Sequence, residues 1–148
     1  MRRGLLFTAL ITLPTALQSP PAPVFSTSGA YFALYVRDLE ASRSWYVERL
    51  GLRVTLEPPA YNGIRALILE GGGLIVELLQ DPKAQAAPPP TMGFFKAGVI
   101  VEDYDATLAR LRERGVTIAL GPFPARNGQR ANFLIRDNSG NLIQFFGR

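Results

Sequence analysis

Val36-Arg37-Asp38-Leu39-Glu40-Ala41 and Val101-Glu102-Asp103-Tyr104-Asp105-Ala106 are one phrase read twice, 65 positions apart (36 to 101). In each copy an apolar run gives way to an aspartate of helix N-cap type, and helix-forming residues follow. Gly51 and Gly115, 64 positions apart (51 to 115), close the two helices at the place where a left-handed residue is wanted. Leu39, Tyr46 and Leu50, joined by Trp45, make the buried stripe of the first helix. Tyr104, Leu108 and Leu111 do the same at i, i+4, i+7 in the second.

Outward from the paired phrases, the flanks repeat as well. Tyr31–Val36 and Ala97–Val101 are rich in β-favouring residues and precede the helices as strands. Three strands follow each helix: Leu52–Glu57, Ile64–Glu70 and Leu74–Leu79 in the first copy, then Val116–Leu120, Ala131–Arg136 and Leu142–Phe146 in the second. Gly71-Gly72-Gly73 and Asp137-Asn138-Ser139-Gly140 read as tight connections between neighbouring strands. The expected fold is therefore α+β: two tandem βαβββ modules forming a curved, mostly antiparallel cupped sheet. Module one covers residues 30–80 and module two residues 96–148, within a single domain spanning 30–148. The linker, 81–95, carries Pro88-Pro89-Pro90.

Residues 1–29 read differently. Arg2-Arg3 precedes a charge-free apolar run from Gly4 to Leu17, and then a polar, proline-rich stretch begins. Such a run is short for a membrane span and fits a signal peptide, so the expected location is exported, periplasmic or extracellular. A retained N-terminal helix would instead leave the protein cytoplasmic. No stable membrane span is expected in the mature chain.

Composition excludes more than it suggests. The 148-residue chain holds no cysteine and no histidine. Disulfides, thiolate metal sites, cysteine nucleophiles, histidine-dependent triads and HExxH zinc sites are impossible in it. The net charge is +4, but the arginines are dispersed, and Arg110, Arg112 and Arg114 read as a solvated helix face. Nucleic acid is accordingly not an expected partner.

The order Val36-x-Asp38-Leu39-Glu40-Ala41-Ser42, Trp45-Tyr46, Leu50-Gly51-Leu52, with Ile75-Val76-Glu77-Leu78-Leu79 and Asp137-Asn138-Ser139-Gly140-Asn141-Leu142-Ile143-Gln144, resembles the vicinal-oxygen-chelate superfamily. That superfamily includes glyoxalases, bleomycin-resistance proteins and extradiol dioxygenases. The resemblance runs from about Ala30 to the end of the chain. It implies four metal-ligand positions, which fall on Tyr31, Glu77, Lys96 and Gln144. Only Glu77 keeps the ligand type usual in the family. A protonated lysine has no lone pair and repels a dication, so the chain resembles a divergent member without a metal or other cofactor.

With the cation gone, Lys96 is expected to pair with Glu77 in its place, Gln144 and the Tyr31 hydroxyl completing the hydrogen bonds. Strand parity puts Ile75, Glu77 and Leu79 on one face of their strand and Tyr31, Ala33 and Tyr35 on one face of theirs, which favours the pairing; Tyr35 and Phe146 are further candidates for the ligand-binding lining. Trp45, Ile100 and Phe133 are weaker candidates, being of a type more often found in the core. The leading functional expectation is a metal-free binder of a small molecule. Cationic drugs of the bleomycin type suit a basic protein poorly. The alternatives are a metal-independent lyase or isomerase, glyoxalase- or epimerase-like, with Glu77 as general base and Lys96 as electrostatic stabiliser, and a structural or partner-binding protein with a filled cup. The resemblance also implies a homodimer, with the modules pairing either within one chain or across two.

Overall fold

The computed structural model describes residues 29–85 and 95–148; the N-terminal segment and the triple proline of the linker lie outside them. Eight strands and two helices follow one another as β1 (Ala30–Tyr35), α1 (Leu39–Trp45), β2 (Arg53–Leu56), β3 (Arg65–Gly71), β4 (Leu74–Gln80), β5 (Ala97–Val101), α2 (Tyr104–Glu113), β6 (Ile118–Phe123), β7 (Asn132–Arg136) and β8 (Leu142–Gly147). The strands hydrogen-bond as two four-stranded sheets of identical topology, β1-β4-β3-β2 and β5-β8-β7-β6. In each sheet the first strand runs parallel to the fourth, and the remaining pairs are antiparallel. This is the α+β, twice-repeated βαβββ arrangement that the paired phrases imply.

Local chemistry explains the elements. Asp38 accepts from Ala41 N and Asp103 from Ala106 N, so both predicted N-caps satisfy an otherwise orphan helix donor. The first helix reaches Leu50, as expected, but its last five residues, Tyr46–Leu50, widen into a π-type turn. Gly51 closes it at φ 75°. Gly72 and Gly73 both have positive φ, as the two-residue hairpin between β3 and β4 requires.

Alternation along the strands decides the layers. Phe32, Leu34 and Val36 turn inward from the first strand and its end, while Tyr31, Ala33 and Tyr35 face out. The inward set joins Leu39, Tyr46, Leu67, Leu69, Val76 and Leu78 in a core that runs on into the second repeat through Phe133, Ile135, Ile143 and Phe145. Phe133 and Trp45 thus belong to packing rather than to a ligand lining: Phe133 is fully buried and Trp45 packs against the core.

Side chains tie the repeats together at several places among the described residues. Arg49 Nη1 donates to the carbonyl of Arg114, and Arg114 Nη1 donates to the carbonyl of Arg49. Elsewhere the buried Tyr46 hydroxyl donates to Asp137 Oδ2 at 2.9 Å. Asp137 also accepts from the backbone of Ser139 and Asn141, which folds the predicted hairpin turn around the carboxylate.

Candidate functional site

The parallel pairing of β1 with β4 sets Tyr31 opposite Ile75 and Ala33 opposite Glu77. Tyr31, Tyr35, Ile75 and Glu77 consequently share the outward face of the first sheet. Tyr31 and Tyr35 are 58% and 56% exposed. The Tyr31 hydroxyl donates to Glu77 Oε2, as parity implies. That hydrogen bond, with a smaller share from burial and the carboxylate charge, raises the Tyr31 hydroxyl above its ordinary value.

The second sheet presents a different chemistry. Gln144 and Phe146 lie on one face of β8, beside Gly98 and Ile100 of β5 in the register of the parallel pair. Gln144 is buried; its Nε2 donates to Asn132 Oδ1 at 2.8 Å, while its Oε1 is buried with no hydrogen-bond partner. Gly98, Ile100, Phe146 and Arg130 border a shallow hollow of about 350 Å³. Asn132 escaped the sequence reading. Alternation in β7 puts it two residues from Leu134, which is paired with Gln144, and that spacing was the signal available.

Lys96 stands apart from the expected arrangement. It is exposed, its ammonium lies 5.8 Å from the centre of the Phe95 ring, and among the described residues no ion pair joins it to Glu77. The reason is topological. Lys96 leads into β5, which pairs with β8 in the second sheet, whereas Glu77 sits in the first. Within one chain the structure therefore brings together Tyr31, Tyr35 and Glu77 on one face and Gln144 and Phe146 on another, and leaves Lys96 outside the first group.

No group of three or more histidine, cysteine, aspartate or glutamate side chains converges among the described residues. The positions that the resemblance assigns to metal ligands hold one carboxylate, one phenol, one amide and one ammonium. The carboxylate already accepts a hydrogen bond from the phenol. A divalent ion that prefers imidazoles or several carboxylates does not fit this donor set.

The comparisons with known proteins agree with the architecture. TnmS3, an antibiotic binding protein from Streptomyces sp. CB03234, is 26% identical with a TM-score of 0.60, over 85% of this chain and 98% of that one. A glyoxalase/bleomycin resistance protein from the same strain is 29% identical with a TM-score of 0.59, over 80% and 99%. TioX from Micromonospora sp. ML1 is 25% identical with a TM-score of 0.64, over 82% and 98%. No curated protein matches the chain. The model of the Glyoxalase/Bleomycin resistance protein/Dioxygenase superfamily matches residues 30–145. With its paired βαβββ repeats and that match over most of its length, the chain belongs to the glyoxalase/bleomycin resistance protein/dioxygenase superfamily.

Proposed function

We propose that this chain is a small-molecule binder of its superfamily and acts without a metal ion. The observation that carries the reading is the outward face of the first sheet, where two tyrosines stand more than half exposed beside a Glu77 already engaged by Tyr31. Exposed rings on a rigid strand gain by having an apolar or aromatic body laid against them. The orphan Oε1 of Gln144 supports the same reading from the second repeat, because a buried acceptor without a donor is costly and a ligand N–H or O–H would satisfy it. The ligand is thus a largely apolar or aromatic molecule carrying at least one hydrogen-bond donor. The antibiotic binding of TnmS3, a neighbour at 26% identity, supports a binding role over an enzymatic one.

The working unit is a homodimer. Tyr31, Tyr35, Ile100, Leu120 and Phe123 are all exposed in one chain, and a second copy packed over them would enclose the ligand while covering apolar area. Glu77 as a general base is the weaker reading, since its Oε2 already accepts from the Tyr31 hydroxyl and Lys96, the expected electrostatic stabiliser, stands apart from it within the chain.

A thermal-shift titration with a panel of aromatic antibiotics tests the proposal, because a ligand of the folded state raises the midpoint. At least one such compound should shift the wild type and fail to shift Tyr35→Ala and Gln144→Ala. A shift produced by Zn²⁺, Ni²⁺ or Mn²⁺ with one ion retained per chain would overturn it. So would a glyoxalase- or epimerase-like turnover that disappears in Glu77→Gln.

A further inference from the structure

On the seam between the repeats, away from the faces just described, lies a half-enclosed crevice of about 310 Å³. Leu50, Leu52 and Leu74 supply one wall from the first repeat, and Val99, Leu111 and Phe145 supply the other from the second. Arg49, Arg110 and Arg114 stand among its lining residues.

Among the described residues no carboxylate pairs with those three arginines; the ion pairs use Arg43, Arg53, Arg65 and Arg148. Arg49 and Arg114 are held in place by donating to each other's carbonyls, and each contributes one nitrogen to that exchange. A guanidinium has five N–H donors, so most of theirs remain available from a fixed position. Gly51 and Gly115 help seat them, since a Cβ at Gly51 would lie 2.9 Å from Arg114 Nη1 and one at Gly115 would lie 3.0 Å from Arg49 Nη1. Arg110 adds a third, exposed charge from the last turn of α2.

We propose that this crevice binds a small amphipathic carboxylate, of the size of a medium-chain fatty acid. Its hydrocarbon body lies between the leucines and Phe145, and its carboxylate meets the arginines as a planar, two-pronged acceptor. The volume is at the low end of the range of about 300–1,000 Å³ for small-molecule sites, which admits one short chain and excludes a peptide helix. The site is independent of the binding role proposed for the sheet faces, because it shares none of the residues Tyr31, Tyr35, Glu77, Gln144 or Phe146.

Calorimetric titration of the full chain with octanoate tests the assignment. One octanoate should bind per chain, while octanol, which lacks the charge, and inorganic phosphate, which lacks the body, bind at least tenfold more weakly. Arg110→Glu should weaken octanoate about tenfold or more, the size of one charge-assisted hydrogen bond. Arg112→Glu makes the same charge change on the same helix but is not part of the lining, and should leave affinity within about twofold. Val99→Trp, which fills the slot, should abolish binding; Val99→Leu reports the same effect in weaker form if the tryptophan variant does not fold. Absence of octanoate binding, equal loss in Arg110→Glu and Arg112→Glu, or loss in Gln144→Ala with Arg110→Glu unaffected would each overturn the proposal.

Discussion

At the scale of single residues, Tyr46 and Asp137, 91 positions apart in sequence, are buried together in one hydrogen bond. Burial above all, and then the neighbouring carboxylate, pushes the Tyr46 hydroxyl far above its ordinary value of 10.0. A raised value in the folded state means full stabilisation below about pH 10, lost as the pH climbs. Above that point the unfolded chain releases a proton that the folded chain keeps, so stability falls by about 1.4 kcal/mol per pH unit. Tyr46→Phe should therefore flatten the alkaline limb of stability, measured by urea unfolding between pH 9 and 11, by about one proton's worth. At neutral pH the same variant should cost about 1–2 kcal/mol, because Asp137 keeps its other donors. Asp137→Ala should cost more, about 3 kcal/mol or above, since it strands the tyrosine hydroxyl and unties the hairpin turn at once.

At the scale of elements, the helix ends carry the argument. Gly51 and Gly115 sit at φ 75° and 72°, and each would press a Cβ against the arginine of the other repeat. Gly63 has a comparable φ of 81° but nothing within 4 Å of where its Cβ would be. Alanine at Gly63 should then cost only the left-handed penalty, about 1–2 kcal/mol. Alanine at Gly51 or Gly115 should cost that amount plus part of the arginine–carbonyl hydrogen bond, about 1 kcal/mol more. Chemical unfolding of the three variants side by side checks the ranking; equal costs would mean that the reciprocal arginines add nothing to the seam.

At the scale of the whole molecule, the placement of Glu77 in the first sheet and of Lys96 just ahead of β5 makes a definite statement about coupling. Residues that share no partner behave additively, so in the monomer Glu77→Leu and Lys96→Met should combine with a coupling below about 0.5 kcal/mol. The proposed dimer predicts a further, concentration-dependent behaviour. Sedimentation at micromolar concentration should give a dimer for the wild type, and Tyr35→Glu, which puts a charge on the exposed face, should shift it toward monomer. A wild type that stays monomeric would remove the closed cup from the functional proposal.

The sequence by itself determined the elements and their doubling. Asp38 and Asp103 cap, Gly51 and Gly115 terminate, and alternation in β1 assigns Tyr31 and Tyr35 to one face and Phe32 and Leu34 to the other. Capping, left-handed glycine and strand parity act over a few residues, so local sequence carries them. Parity in β1 and β4 also made the Tyr31–Glu77 hydrogen bond legible. Which strands hydrogen-bond with which was decided only by the tertiary structure. It left Lys96 just ahead of β5 and away from Glu77 in the first sheet, gave Gln144 the unforeseen partner Asn132, and crossed Arg49 with Arg114. Each of these rests on packing between segments far apart in the chain. The free energy that selects such packing comes from burying the shared core, and no short stretch of sequence contains that term.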